Sequence, residues 1–231
     1  MKTPVVRVLT VAALLALAWL AGIPAVAPAA APAAPAWRTT VRRFADEHLK
    51  HPAWGVSHSE RDYELARELA AADRVAIDDD VLYAAAYLHD VAAFAPYEKE
   101  GVDHADEAAR IVDALLQGTG FPMSKIEAVR GAIRTHMFAR DPSGTEAIYL
   151  HDADALDWLG AIGVARIFAL VDPNGGKPDG PAAVKMLQQT LTAVPSRIIS
   201  KAGQARSGAR VRELQQFLKD LGAETEGFRT L

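Results

Sequence analysis

The chain has 231 residues, of which 50% are hydrophobic, and a formal net charge of −4, which suits one globular domain with short appendages. This charge gives no indication of a general nucleic-acid binder. The chain contains no cysteine, so disulfides and thiolate metal sites are excluded.

The first predicted element is a secretory signal. Lys2 and Arg7 precede an apolar run of 16 residues, 8–23, and a stretch rich in Ala and Pro with A-x-A triplets follows. This is the order of regions in a signal peptide, and the run is short for a membrane span of about 20 residues. We expect a signal peptide over 1–29, a spacer over 30–36, and a periplasmic or secreted protein. The alternatives are an uncleaved membrane anchor and a cytoplasmic chain.

From residue 37 the sequence predicts an all-α domain that ends near residue 222 and is followed by a short tail, 223–231. Apolar residues recur at helical spacing, and one predicted helix covers 81–94. Polar residues that can cap helices precede these runs, namely Ser57, Asp78–Asp80, Asp103, Ser124 and Thr145. Two further helices are expected near 182–193 and 209–221, after a loop over 172–181. The sequence has no convincing alternating strand and no fixed-period repeat.

The tetrapeptide YLHD occurs twice, at 87–90 and 149–152. In the first copy, His89 and Asp90 lie within an apolar helical run, where burial without partners costs several kcal/mol. Imidazole and carboxylate together suit a divalent ion such as Zn, Mn, Fe, Co or Ni, and tolerate Mg. Candidate further ligands lie on other predicted helices, namely His58, His104, His136 and Asp154. From spacing alone, each of these is also compatible with a structural or surface role.

Three motifs follow one another between residues 50 and 170: His58-x-x-Arg61, AAAYLHDVAAF and HDADALDWLGAIGVARIF. This ordered set resembles the HD-domain metal-dependent phosphohydrolase superfamily, in particular its small bacterial single-domain branch. The resemblance implies an HD-like helical fold and a metal site with four ligands, which are His58, His89, Asp90 and Asp154. It also implies that Asp152 and Asp157 hold the ligands or the neighbouring backbone in place.

The resemblance leaves the number of ions open, and the cofactor is one or two divalent ions per chain. In a two-metal arrangement, His104 and His136 would hold a second ion that Asp90 bridges to the first. His151 departs from the motif of the family and is given no metal role. Ala155 stands where the family commonly has an arginine, so this chain lacks the side chain that would make the contacts of that arginine.

The chemistry indicated is hydrolysis of a phosphate ester or anhydride of a small molecule, with a nucleotide as one candidate. The sequence contains no Ser-His-Asp pattern, thiol nucleophile or glycine-rich phosphate loop. Besides Asp90, we expect Arg61 and Lys99 to contact phosphate and Glu98 to transfer a proton. The alternative for Arg61 is a surface ion pair with Asp62 or Glu64.

Other functions share parts of this pattern. A non-catalytic metal- or ligand-binding module would keep the same ligands. A cyclic-dinucleotide phosphodiesterase is disfavoured because its glycine-tyrosine-proline signature is absent, and an alarmone hydrolase because VAAF follows the HD pair in place of acidic residues. The expected partner is a small phosphorylated substrate, with no nucleic acid and, once the signal is cleaved, no membrane. The sequence does not fix the oligomeric state.

Overall fold

The computed structural model describes residues 34–171 and 180–231. The predicted signal peptide, most of the spacer and residues 172–179 of the predicted loop lie outside the described residues. Over the described ranges the regular structure is helical throughout, which confirms the all-α prediction.

The described residues form nine α-helices joined by turns and three 3₁₀ turns. In chain order the helices are α1 (Ala36–His48), α2 (Val56–Asp73), α3 (Asp79–Leu88), α4 (His104–Leu116), α5 (Ile126–Arg134), α6 (Thr145–Asp157), α7 (Gly160–Val171), α8 (Gly180–Ala193) and α9 (Lys201–Glu224). The 3₁₀ turns are Val91–Ala93, Met123–Lys125 and Pro195–Arg197. None of the described helices has the length and apolarity that crossing a membrane requires.

The core that carries the site lies where α2, α3, α5 and α6 pack together. Leu69 of α2, Leu82 and Leu88 of α3, and Leu150 and Leu156 of α6 are all buried in it. Full burial of a leucine side chain contributes about 1.5–3 kcal/mol, so this apolar core can keep polar side chains fixed among the helices. The C-terminal helices add a second layer, in which α9 packs on α2, α6, α7 and α8.

Two of the predicted helix caps are confirmed. The Asp78 side chain accepts hydrogen bonds from the backbone N–H groups of Asp80 and Val81, and Asp103 accepts one from Ala105. Each carboxylate satisfies donors that have no partner within the first turn of a helix.

The other three predicted caps are wrong by one or two residues. Ser57 and Thr145 lie inside helices that follow Gly55 and Gly144, and Ser124 lies inside a 3₁₀ turn. Gly144 has φ of 100°, a conformation that glycine adopts easily. A Cβ on Gly55 would lie 2.4 Å from the carbonyl oxygen of His51. Backbone geometry at the two glycines, rather than a hydroxyl, sets where these helices begin.

The prediction of one continuous helix over 81–94 is also wrong, because α3 ends at Leu88. Asp90 has φ of −98° and ψ of 7°, and a 3₁₀ turn follows it. Adjacent residues of an α-helix point about 100° apart. The break in the helix therefore allows His89 and Asp90 to present their side chains to one place.

The predicted C-terminal helical pair is confirmed as α8 and α9. The second of these begins at Lys201, well before the predicted start near residue 209. Ser200 caps it, since its hydroxyl accepts a hydrogen bond from the backbone N–H of Gly203.

Candidate metal centre

The four predicted metal ligands converge in the interior. His58 lies on α2, His89 and Asp90 at the end of α3, and Asp154 on α6, and all four are buried. Nε2 of His58 lies 3.3 Å from Nε2 of His89, 3.4 Å from Oδ1 of Asp154 and 3.7 Å from Oδ2 of Asp90. Four side chains from three separate segments thus present their nitrogen and oxygen atoms to one small volume.

The histidine rings are held with Nε2 pointing to this centre. Nδ1 of His89 lies 2.8 Å from the carbonyl oxygen of Ala86, and Nδ1 of His58 lies 2.9 Å from Oδ2 of Asp157. A carbonyl oxygen can only accept, so Nδ1 of His89 carries the proton. Burial lowers the pKa of His89, and its neutral ring leaves Nε2 free to bind an ion. Such hydrogen bonds on the remote nitrogen are how proteins orient histidine ligands.

The sequence analysis did not recognise Asp62 as part of this centre. Asp62 is fully buried, and Oδ2 lies 3.2 Å from Nε2 of His58. Neither of its oxygens accepts a hydrogen bond from any described residue. Burial raises its pKa well above the usual range, with His58 acting in the opposite direction. The signal in the sequence was its position four residues after His58, which places both on one helix face.

Buried carboxylates surround the His58 ring. Burial alone lowers the pKa of His58, but Asp62, Asp154 and Asp157 outweigh it and raise that pKa to about 10. Buried charges in proteins are paired or bind metals. The donor set of imidazoles and carboxylates therefore fits a divalent ion of the Mn, Fe, Co, Ni, Zn or Mg kind.

A second group of possible ligand atoms lies close to the other carboxylate oxygen of Asp90. Oδ1 is 3.3 Å from Nε2 of His104 and 3.5 Å from Nε2 of His136, whereas Oδ2 is 3.3 Å from Nε2 of His89. Nδ1 of His136 lies 2.7 Å from the carbonyl oxygen of Ile133, so its Nε2 is also available for an ion. Burial alone would raise the pKa of Asp90, but the nearby histidines hold it well below the usual range.

Asp157 supports the centre from behind His58. Besides the His58 ring, it accepts a hydrogen bond from Nη2 of Arg61 at 2.8 Å and lies 3.2 Å from Nη1 of Arg166. The structure thus pairs Arg61 with Asp157, and Glu64 pairs with Arg67 instead. Burial alone would raise the pKa of Asp157, but His58 and Arg61 outweigh it and lower that pKa.

Arg166, the last residue of the GAIGVAR motif, is buried beside the ligands. Its Nε donates to the carbonyl oxygen of Ala53 at 2.7 Å, and its Nη2 lies 3.1 Å from Nε2 of His58. The guanidinium stacks over the ring of Trp158, 4.0 Å from the ring centroid. Arg166 thus provides fixed positive charge next to the buried carboxylates.

The second YLHD has a different environment. Oδ2 of Asp152 accepts a hydrogen bond from the backbone N–H of Ser200 at 2.6 Å, and Oδ1 accepts one from Ile199 at 2.9 Å. Nδ1 of His151 lies 3.0 Å from the same carboxylate. Asp152 therefore holds the turn that leads into α9, whereas Asp154, two residues later, faces the centre.

A cavity of about 570 Å³ opens beside Asp90. Its wall includes Trp54, Asp90, Glu98, Lys99 and His104. The structure therefore places the predicted residues Glu98 and Lys99 on a surface that also reaches the ion-binding donors. Arg61 does not line this cavity.

A smaller cavity of about 120 Å³ continues to the centre itself and shares Trp54, Asp90 and His104 with the larger one. Its other polar lining residues are His136, Asp154 and Arg166. A small molecule in the larger cavity could thus extend one end to the ligands.

The centre lies within a region that matches a known family. The family model described as HD domain matches residues 55–159, a range that contains all the predicted ligands. The comparison with curated proteins finds no match.

Several solved structures share the fold. A predicted HD superfamily hydrolase from an uncultured Thermotogales bacterium is 28% identical, with a TM-score of 0.57 over 81% of this chain and 90% of that one. An HD-superfamily hydrolase from Bacillus thuringiensis is 22% identical, with a TM-score of 0.60 over 82% and 95%. YpgQ of Bacillus subtilis, in complex with ADP, is 18% identical, with a TM-score of 0.59 over 81% and 97%. At these lower identities the last two show a common fold alone.

Proposed function

We propose that the protein, whose residues 55–159 match the HD domain model, is a metal-dependent phosphohydrolase acting on a small phosphorylated molecule. The observation that carries the proposal is the buried cluster of His58, His89, Asp90 and Asp154, which adjoins a cavity of about 570 Å³. A non-catalytic metal-binding module would need the ligands but would not need polar groups on the wall of that cavity.

Two residues of the cavity wall and two residues beside the ligands have roles in this chemistry. A divalent ion, when bound, activates water and neutralises charge on phosphoryl oxygens. Lys99 binds the phosphate as a point charge, and Glu98 holds or transfers a proton at the leaving oxygen. Asp157 keeps the His58 ring in place through Nδ1, and Arg166 balances the buried carboxylates.

A nucleotide is the first substrate to test. The related fold of YpgQ has been solved with ADP, and the cavity in this chain has an aromatic side chain, Trp54, on its wall. An indole ring can stack on a nucleobase, with about 1–3 kcal/mol per base in single-stranded nucleic-acid complexes. Trp54 also lines the smaller cavity that reaches Asp154, so a base and a phosphate could be bound together.

In this proposal the centre would hold two ions, with ligands for them on either side of Asp90. Its Oδ2 faces His58 and His89, and its Oδ1 faces His104 and His136. A carboxylate that presents one oxygen to each of two donor groups is suited to bridging a pair of ions. Two ions would stabilise the attacking and the leaving oxygen together.

The proposal includes export of the protein. Its support lies in the sequence alone, since Lys2 and Arg7 precede a short apolar run and A-x-A triplets follow. An exported hydrolase would meet phosphorylated compounds outside the cytoplasm.

The test is a substrate screen with defined metal content. The purified protein is stripped with a chelator and reloaded with Mn²⁺, Mg²⁺ or Zn²⁺ separately. Release of phosphate or pyrophosphate is then measured from nucleoside mono-, di- and triphosphates and from simple phosphate esters. We expect release that requires the ion and is lost in Asp90→Asn. Protein that binds the ion but releases nothing from any substrate would contradict the proposal and favour a binding module.

A further inference from the structure

Asp62 is a buried carboxylate with no counterpart among the residues that the sequence predicted as ligands. Its relative exposure is 0%, and neither oxygen accepts a hydrogen bond from a described residue. Its neighbours on α2 have other partners: Arg61 contacts Asp157, and the Tyr63 hydroxyl donates to Asp79. A charged carboxylate buried without a partner costs several kcal/mol, and a cation bound at this position would provide that partner.

The distances around His58 show which side chains could share one cation. Nε2 of His58 has four possible ligand atoms near it, at 3.2, 3.3, 3.4 and 3.7 Å, from Asp62, His89, Asp154 and Asp90 respectively. One ligand atom from each of His58, Asp62, His89 and Asp154 lies within 4.8 Å of those of the other three. A single ion could therefore contact all four of these side chains, Asp62 included.

A purely structural role for Asp62 explains less. The His58 ring is already fixed through Nδ1 by Asp157 at 2.9 Å, and a carboxylate that served to anchor the fold would have a donor of its own. Nε2 of His89 also lies 3.8 Å from Oδ2 of Asp62. Asp62 thus lies close to the ligand nitrogens of two predicted ligands, as expected for a carboxylate that shares an ion with them.

We propose that Asp62 is a fifth protein ligand of the ion that His58, His89, Asp90 and Asp154 would hold. Three carboxylates and two imidazoles would form an oxygen-rich set of more than four ligands, which favours Mn²⁺ or Mg²⁺ over the four-coordinate sites typical of Zn²⁺. The inference rests on the metal site of the proposed function and adds a residue and a metal preference to it.

The test compares Asp62→Asn with Glu64→Gln, which removes an exposed carboxylate from the same helix. Metal-free proteins are titrated with Mn²⁺ by calorimetry and melted with and without Mn²⁺. We expect Asp62→Asn to lose roughly tenfold or more in Mn²⁺ affinity and to gain less thermal stability from the ion. Without the ion it should melt at the same temperature as the unaltered protein or higher, because the amide keeps the shape of the side chain and buries no charge. Glu64→Gln should match the unaltered protein in both measurements.

Mn²⁺ affinity within twofold of the unaltered protein would overturn the proposal. A lower melting temperature of the metal-free variant, with the gain from Mn²⁺ unchanged, would overturn it in favour of a structural role. Should Asp62→Asn fail to fold, a crystal structure of the unaltered protein with Mn²⁺ decides. An Asp62 oxygen within about 2.0–2.6 Å of the ion supports the proposal, and one beyond bonding distance refutes it. None of these measurements depends on turnover, so an inactive protein with Asp62 on the ion would contradict the proposed function alone.

Discussion

Nε2 of His58 lies 3.3 Å from Nε2 of His89, although the two residues are 31 positions apart and belong to different helices. Each ring is held by a hydrogen bond at its Nδ1 atom. The partner is the carboxylate of Asp157 for His58 and the carbonyl oxygen of Ala86 for His89. The site is thus preorganised before an ion arrives, because the rings do not have to rotate to bind it. This relationship, with Asp90 next to both nitrogens, is the basis of the first prediction.

Asp90→Asn should remove most of the bound metal and most of the activity. The amide keeps the shape of the side chain but loses the charge that binds a hard cation, and it can no longer bridge two ions as a carboxylate does. We expect phosphohydrolase activity to fall by about 10²-fold or more, because water activation depends on the ion. Elemental analysis of the purified variant and initial rates with the best substrate check this.

His151→Ala is the matched control, since it changes the histidine of the other YLHD. His151 is fully buried and contacts Asp152, so the free energy of unfolding should fall by roughly 0.5–3 kcal/mol. Metal content and turnover of the folded variant should stay nearly unchanged. If His151→Ala abolished activity and Asp90→Asn retained it, the centre would be wrongly located.

His136→Ala should lower the metal content from two ions per chain to one. Nε2 of His136 faces Oδ1 of Asp90 at 3.5 Å, away from the group around His58. Removing it leaves His104 and Asp90 as the described donors on that side, too few to retain an ion through purification. Elemental analysis against protein concentration measures the change. An unchanged ratio, with the other ligands intact, would show that His136 binds no ion.

The order of motifs was enough to indicate the fold and to name the four residues that now lie together in the core. Helical spacing of apolar residues indicated an all-α domain, and the carboxylates of Asp78 and Asp103 marked the starts of two helices correctly. The helices after Gly55 and Gly144 begin where the backbone conformation of these glycines allows. That conformation depends on the path of the backbone and could not be inferred from the spacing of hydroxyl residues.

Burial was the quantity that the sequence did not provide. Asp62 follows Arg61 and precedes Tyr63 in a run rich in charge, and such a run is typical of a solvated helix face. Only the packing of α2 on α3 and α6 places it in the interior. In the same way, Asp152 and Asp154 differ by two positions, and the tertiary path of the turn before α9 decides which of them faces the ligands.

Export should be visible at the N-terminus of the mature protein. If the signal is cleaved, protein recovered from the periplasmic or secreted fraction should begin within about residues 28–37. N-terminal sequencing of that material checks the prediction. Uncut protein in the cytosol would contradict export, and uncut protein in the membrane fraction would favour the anchor.

Arg61→Gln should weaken metal binding more than it weakens substrate binding. The sequence suggested a phosphate contact for Arg61. In the structure, Nε and Nη2 of Arg61 both donate hydrogen bonds to the carboxylate of Asp157. The same carboxylate accepts a hydrogen bond from Nδ1 of His58. Without the guanidinium, Asp157 is held less firmly and the His58 ring is less well oriented. Loss of such a supporting contact commonly costs about 10–100-fold in metal affinity. We therefore expect Mn²⁺ affinity to fall by that factor, while the KM measured at saturating Mn²⁺ changes little.

Arg67→Gln provides the control, because Arg67 is an exposed arginine of the same helix that pairs with Glu64. It should leave both quantities unchanged, since exposed ion pairs contribute little. Calorimetric titration with Mn²⁺ and steady-state kinetics over a range of substrate concentrations separate the two roles. A rise of tenfold or more in KM, with Mn²⁺ affinity unaltered, would mean that Arg61 leaves Asp157 and contacts the phosphate of the bound substrate directly.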